Sequence, residues 1–274
     1  MTIGQALREC GVERADAFAL LGHCLQRNKA WLIAHAEDEI PAAQNEHFLQ
    51  LISRKMAGEP VAYLTGKKEF YGREFVCTPA TLVPRPETEL LVELALYHGD
   101  GLGVAVNALD LGTGTGCIAI TLAAERANWR VRATDVSANA LDIAQHNARV
   151  LGVGSPTISF SQGSWFDGLN GAQFDVIVSN PPYIANDDPH LQGDGLRFEP
   201  RGALTDDHDG LEAYRVIAVE SAMHVRAGGV VLVEHGFNQA SAVAALFERA
   251  GTWNTIMLHR DLAGLPRVTT AVRM

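Results

Sequence analysis

The stretch AVNALDLGTGTGCIAITLAA, residues 105–124, decides the fold. Its first seven residues read as a strand, residues 118–124 read as a helix, and glycines stand between them at 112, 114 and 116. A strand that turns through glycines into a helix is the opening of a βαβ unit in a parallel α/β sheet. Glycine lets the backbone pass close to a ligand, and the free N–H groups and positive dipole end of the following helix suit a polar, nucleotide-like group. The GxGxG spacing departs from the dinucleotide GxGxxG fingerprint, so nothing in it asks for a pyrophosphate.

Downstream the rhythm continues. VRATD (131–135) reads as the next strand, and Asp135 at its end, 19 residues beyond Gly116, stands where a carboxylate accepts both hydroxyls of a ribose. Ser137 caps a helix with Ala140, Leu141, Ala144 and Ala148 on one face. TISFSQ (157–162), FDVIVSN (174–180) and GGVVLVE (228–234) are further strands, the last two with the near-continuous apolar runs of a sheet covered on both faces. WNTIMLH (253–259) and VTTAVRM (268–274) are expected to pair antiparallel at the sheet edge. The expected fold is therefore α/β, a doubly wound, mostly parallel sheet.

Upstream, the pattern from Thr2 to about Met56 is helical. Thr2 and Gln5 have capping-box spacing, Ala17, Leu20, Leu21, Cys24 and Leu25 repeat i, i+3, i+4, and Pro41 introduces a helix with a buried stripe of Phe48, Leu51 and Ile52. Gly58–Pro60 breaks this pattern, and YLTGKKEFYGREFVC (63–77) reads as a short hairpin. The expected organisation is a helical domain over 1–57, a hairpin linker over 58–84 and an α/β domain over 85–274, a division that suits 274 residues.

Composition narrows the function classes. Hydrophobic residues at 47% and charged residues at 20% are those of a globular chain, which excludes disorder. The net charge of -10 argues against holding nucleic acid by bulk electrostatics, and the acidity is concentrated after residue 84, where 13 basic residues face 22 acidic ones. Cys10, Cys24, Cys77 and Cys117 form no CxxC pair, and the ten histidines show no HExxH spacing, so no metal is expected; His235 beside Glu234 reads as a strand-end residue. Without a secretory leader pattern or an apolar run of about 18 residues, a cytoplasmic protein with no membrane contact is expected.

The second chemical motif is NPPY, Asn180–Tyr183, directly after the strand FDVIVS. Two prolines delete two backbone donors where the strand ends, leaving carbonyl oxygens as the available groups. Asn180 Oδ1 and the Pro181 carbonyl can both accept from one planar NH2 group, and Tyr183 offers a face for stacking. Such a site suits an amide or an exocyclic amine.

DLGTGTG, the strand-end Asp135 and NPPY resemble the S-adenosylmethionine-dependent amino-methyltransferases that act on a planar nitrogen. EFYGREF with LVPRPETELLVE (69–93), FEPRGAL with DGLEAYRVI (198–217), and VLVEHGFNQ (231–239) are similar to the release factor glutamine N5-methyltransferases over about residues 58–240. RPETE is the most specific piece, since generic methyltransferases lack it. The resemblance implies a Rossmann-like class I methyltransferase fold behind a small N-terminal helical domain. It puts S-adenosylmethionine, with no metal, on Gly112, Thr113, Gly114, Thr115, Gly116, Asp135, Trp165 and Asn180, and the substrate amide on Asn180, Pro181, Pro182 and Tyr183. Asn180, Pro181 and Tyr183 would carry the chemistry. Trp165 in GSWF suits an adenine face or a buried core position, and Arg85 and Glu87 suit either the cleft or the start of a helix.

The implied activity is methylation of the glutamine amide in the GGQ segment of class I peptide chain release factors by a monomeric enzyme with no stable nucleic acid partner. A methyltransferase acting on adenine N6 or another exocyclic amine is the alternative, because NPPY suits a flipped base as well. A non-catalytic cofactor-binding scaffold is the reading from a different class.

Overall fold

The computed structural model describes residues 1–103, 105–193 and 195–274. Its contacts divide the chain into two units, Met1–Lys67 with Gln192–Phe198, and Lys68–Leu191 with Glu199–Met274.

The first unit is helical. The Thr2 hydroxyl accepts from the Gln5 amide and the Gln5 side chain accepts from the Thr2 amide, closing the capping box that starts α1 (Ile3–Glu9). α2 (Arg14–Leu25), α3 (Lys29–Ala34), α4 (Ala42–Met56) and α5 (Val61–Thr65) follow. Leu20, Leu21, Leu32, Phe48, Leu51 and Ile52 form its core, and each such buried side chain contributes roughly 1.5–3 kcal/mol by leaving water. Residues 63–65, expected in a strand, form the end of α5, because Pro60 stands at its N-cap and Gly66 closes it in the left-handed conformation with Tyr63 and Leu64 buried. The segment Gln192–Phe198 rejoins this unit far along the chain, and the Arg197 guanidinium donates to the Ala57 carbonyl.

The hairpin runs through β1 (Lys67–Phe70) and β2 (Arg73–Val76). Tyr71 and Gly72 both take positive φ, the two-residue turn whose twist matches a right-handed hairpin. The rings of Phe70 and Phe75 meet edge to face at 6.1 Å.

In the second unit α6 (Glu89–Leu102), β3 (Asn107–Leu111), α7 (Cys117–Glu125), β4 (Arg130–Asp135), α8 (Ala138–Val150), β5 (Ile158–Gln162), β6 (Phe174–Ser179), α9 (Glu212–Glu220), β7 (Val225–Glu234), α10 (Ala240–Ala250), β8 (Trp253–Arg260) and β9 (Pro266–Arg273) build one seven-stranded sheet with flanking helices. Strand order is β5-β4-β3-β6-β7-β9-β8, parallel from β5 to β7, with β9 antiparallel to both β7 and the edge strand β8. This is the expected doubly wound, mostly parallel sheet. Chain order reverses between β3 and β6, and in open α/β sheets ligands bind at the carboxyl ends beside such a reversal. The register aligns Leu111 with Ser179 and Ser179 with Val233, so β3, β6 and β7 end level. The Ser179 hydroxyl donates to the Leu111 carbonyl at 2.9 Å across those ends. Among the described residues no helix is long and apolar enough to cross a membrane.

Two glycines of α6 separate packing from propensity. A Cβ on Gly99 would stand 2.3 Å from ring carbons of the buried Trp129, whereas one on Gly101 meets nothing within 4 Å. Helix propensity favours Ala over Gly by up to about 1 kcal/mol at an unobstructed position, and forcing atoms into a packed core costs about 1–3 kcal/mol. Gly99→Ala should therefore lower stability while Gly101→Ala leaves it equal or higher. Urea denaturation of both variants checks this, and a stabilised Gly99→Ala would contradict it.

Candidate active site

A cavity of about 310 Å³ opens at the carboxyl ends of β3, β4 and β6. Gly112 to Thr115 follow β3, Asp135 closes β4, Gly163 to Trp165 follow β5, and Asn180 with Pro182 follows β6; all of these line it. Gly112 and Thr113 both donate backbone N–H bonds to the Thr134 carbonyl, which folds the glycine turn over the end of β4. Asp135 fixes the turn from below: its Oδ2 accepts from Gly114 N and its Oδ1 from Ser137 N, both at 2.9 Å. Each carboxylate oxygen keeps further acceptor capacity. Burial holds the Asp135 carboxyl above its ordinary value, against the backbone hydrogen bonds that lower it.

The glycines divide by role. Gly114 lines the cavity at φ 56°, and a Cβ there would enter open space that the cavity now has. Gly116 is the left-handed N-cap residue of α7 and does not line the cavity; a Cβ would stand 2.7 Å from Ile120 Cδ1 and 3.1 Å from Ala144 Cβ. Its missing side chain serves the packing of α7 against α8.

Trp165, at φ 47°, is partly buried: it packs against the second-unit core and also lines the cavity. Tyr183 and Pro181 do not line the cavity. Pro181 is buried, and Tyr183 packs onto the core with its hydroxyl pushed up to about 12, chiefly by burial. Gln239 donates to the Tyr183 carbonyl at 2.8 Å and accepts from Gly236 N at 2.9 Å, fixing the course of the loop after NPPY. Arg85 lines the cavity and pairs with Glu199, a carboxylate only 1% exposed whose other oxygen accepts from Val83 N at 2.9 Å. Glu87 lies in the 3-10 turn Pro86–Thr88 ahead of α6. His235 is buried at the end of β7, with its ring nitrogens on the Gly236 carbonyl and the Thr269 hydroxyl. Among the described residues no group of three or more His, Cys, Asp or Glu side chains is placed to hold a metal ion.

Three buried acceptors stand without a partner at the level strand ends: Asp110 Oδ1 in β3, Asn180 Oδ1 after β6 and Glu234 Oε2 at the end of β7. Asn180 Nδ2 is engaged, donating to the Thr88 hydroxyl at 3.2 Å. Burial pushes Asp110 up to about 7, opposed by its bonds from the Thr113 hydroxyl and Ala119 N and helped by the nearby Asp135. Glu234 is also pushed up to about 7 by burial and by Glu87, while bonds from Thr88 and Asn180 and the charge of Arg267 lower it. Sequence reasoning quoted Asp110 and Glu234 within motifs without giving either a role. The place of Glu234 in the structure is the last residue of β7, one beyond the Val233 that pairs with Ser179.

The N-terminal region, residues 2–66, matches the PrmC N-terminal domain family, and residues 87–192 match the methyltransferase small domain family. A release factor glutamine methyltransferase of Burkholderia pseudomallei is 46% identical, covering 98% of this chain and 95% of that protein. The chain belongs to the release factor glutamine methyltransferase family. The Salmonella typhimurium member is 41% identical over 96% of this chain and 93% of its own. A methyltransferase from Pyrococcus furiosus, 19% identical with a TM-score of 0.55 over 81% of this chain and 96% of that one, shares the fold. The family membership agrees with the resemblance read from RPETE, NPPY and VLVEHG, and it makes the chain a methyltransferase.

The buried Asp110 carboxyl gives the folded chain a pH signature. Its folded value near 7 lies above the ordinary 3.8, so between about pH 4 and 7 the folded chain keeps a proton that the unfolded chain releases. The group therefore subtracts stability as pH rises through that window, by roughly 4 kcal/mol at most for a shift of this size. Replacing it by Asp110→Asn removes that dependence. Denaturant titrations of the ligand-free protein at pH 5, 6, 7 and 8 should show the variant gaining relative to the native chain as pH rises, and a constant difference would contradict the assignment.

Proposed function

We propose that the chain transfers a methyl group from S-adenosylmethionine to the side-chain amide nitrogen (N5) of the glutamine in the GGQ motif of class I peptide chain release factors. One observation carries this reading: a buried side-chain acceptor, Asn180 Oδ1, has no partner within the protein, and Asn180 lines the cavity next to two residues that have no N–H to offer. A donor-rich planar group is what that end of the cavity lacks. The names of the relatives, release factor glutamine methyltransferases, supply the same chemistry.

The residues also fit the methyl donor. Asp135 would hold the ribose through its spare acceptor capacity, the open face of Gly112 and Gly114 would admit the amino acid part without a side chain in the way, and Trp165 would offer its ring to the adenine. The bound donor supplies a methyl group already activated on a sulfonium. An amide nitrogen is a poor nucleophile because its lone pair is delocalised, so the task left to the protein is alignment. Asn180 Oδ1 and the Pro181 carbonyl each take one hydrogen of the NH2 group, which orients the nitrogen and favours a more pyramidal geometry. Pro182 stiffens the loop that presents them, and Tyr183 anchors it through the core and Gln239. The proton leaves the nitrogen after transfer, when it has become acidic, so no carboxylate base is required.

A side-chain amide is too small to distinguish one glutamine among many, and a specific protein interface buries of the order of 1,200–2,000 Å². Residues 1–57 are the proposed source of that face. A monomer acting in the cytoplasm, with no stable nucleic acid partner, is in keeping with the net charge of -10.

Incubation with methyl-labelled donor and a purified class I release factor should place label on the GGQ glutamine. Asn180→Ala should lower turnover by about a hundredfold or more, with the donor still bound, while Asp135→Ala should weaken donor affinity by about tenfold. Label that nuclease removes and protease does not, or unchanged turnover in Asn180→Ala, would contradict the proposal.

A further inference from the structure

The reaction proposed above depends on which way the Asn180 amide faces, and the strand ends contain a device that decides it. An asparagine amide is nearly symmetric in shape, so a half-turn about its last bond exchanges acceptor for donor. With Nδ2 toward the substrate, Asn180 would repel the NH2 group it is required to hold.

Two neighbours act on Nδ2. The first is Thr88, from the 3-10 turn Pro86–Thr88, whose hydroxyl accepts from Nδ2 at 3.2 Å and is itself nearly inaccessible at 2% exposure. The second is Glu234. In the parallel register Ser179 lies opposite Val233, so the next residues, Asn180 and Glu234, are neighbours across adjacent strand ends. Glu234 is 2% exposed and its Oε2 has no partner. Thr88 and Asn180 both lie near enough to its carboxyl to lower its pKa against the burial that raises it. A threonine hydroxyl has one proton: if it gives that proton to Glu234, only its lone pairs remain for Asn180, and those select Nδ2 over Oδ1. A carboxylate likewise attracts Nδ2 and repels Oδ1.

We infer, resting on the reading of the site as an amide methyltransferase, that Glu234 and Thr88 are positioning residues that lock the Asn180 amide with Oδ1 toward the substrate. This gives RPET and VLVEH a common purpose, since Thr88 comes from one and Glu234 from the other. Neither side chain touches the substrate nitrogen in this account; both act through Asn180.

The test uses the full chain with Thr88→Val, Thr88→Ser and Glu234→Gln, each measured for thermal stability, donor dissociation constant, and kcat and KM with a purified class I release factor. Thr88→Val keeps the shape and removes the hydroxyl. Glu234→Gln keeps the shape and places an NH2 group where an acceptor stood, which favours the wrong face of Asn180. Both should lower kcat by about tenfold or more with donor affinity within about twofold of the native chain, while Thr88→Ser, which keeps the hydroxyl, recovers most of the rate. Native kcat in a folded Thr88→Val overturns the inference. So does a loss confined to donor affinity, or a Thr88→Ser as impaired as Thr88→Val. If Glu234→Gln does not fold, the threonine pair still decides. Absence of methyl transfer by the native chain would instead defeat the functional reading on which the inference rests, so the two failures are distinguishable.

Discussion

The level ending of three parallel strands is the constraint on which the rest of the second unit depends. Leu111, Ser179 and Val233 share one register line across β3, β6 and β7, and the Ser179 hydroxyl ties two of those ends together. Whatever residues follow are forced side by side: Gly112 after β3, Asn180 after β6, Glu234 closing β7. A slip of one residue in β6 would turn Asn180 to the other face of the sheet, since strand side chains alternate. The near-continuous burial of β6 and β7 fixes the register against that slip, so the apolar core of the sheet determines where the polar chemistry stands.

That chemistry is held at a cost. Asp110, Asn180 and Glu234 each carry a buried acceptor with no partner, and an unsatisfied buried polar group costs about 1–3 kcal/mol. Burial also pushes the two carboxyls up to about 7. Strain of this kind gathers at functional sites, where a ligand restores what the protein alone leaves unmet. The core of the sheet, from Leu109 and Ile177 to Val231 and Val233, supplies the compensating stability.

Much of this was legible in the sequence because it is local. The capping box at Thr2 and Gln5, the Ser137 cap and the glycine turn after β3 each depend on residues within a few positions of one another. The edge pair β8 and β9 followed from alternation and a turn. Long-range consequences were harder. Periodicity describes one strand at a time, so it gave no reason to set Glu234 beside Asn180. It also gave no sign that Gln192–Phe198 returns to the helical unit. Residues 63–65 read as part of the hairpin because aromatic residues stand among glycines over 63–77, and the flanking Pro60 and Gly66 instead bound a helix there. Gly116 shares a motif with Gly112 and Gly114, yet only its neighbours in space, Ile120 and Ala144, distinguish its role from theirs.

The central claim is that the unpartnered Asn180 Oδ1 is reserved for a substrate amide. A crystal structure with S-adenosylhomocysteine and a glutamine-containing GGQ peptide tests it most directly. The account predicts the glutamine NH2 group within hydrogen-bond distance of both Asn180 Oδ1 and the Pro181 carbonyl, with Nδ2 still on Thr88. A bound glutamine held elsewhere, with Asn180 Oδ1 left alone or its amide turned, would contradict it.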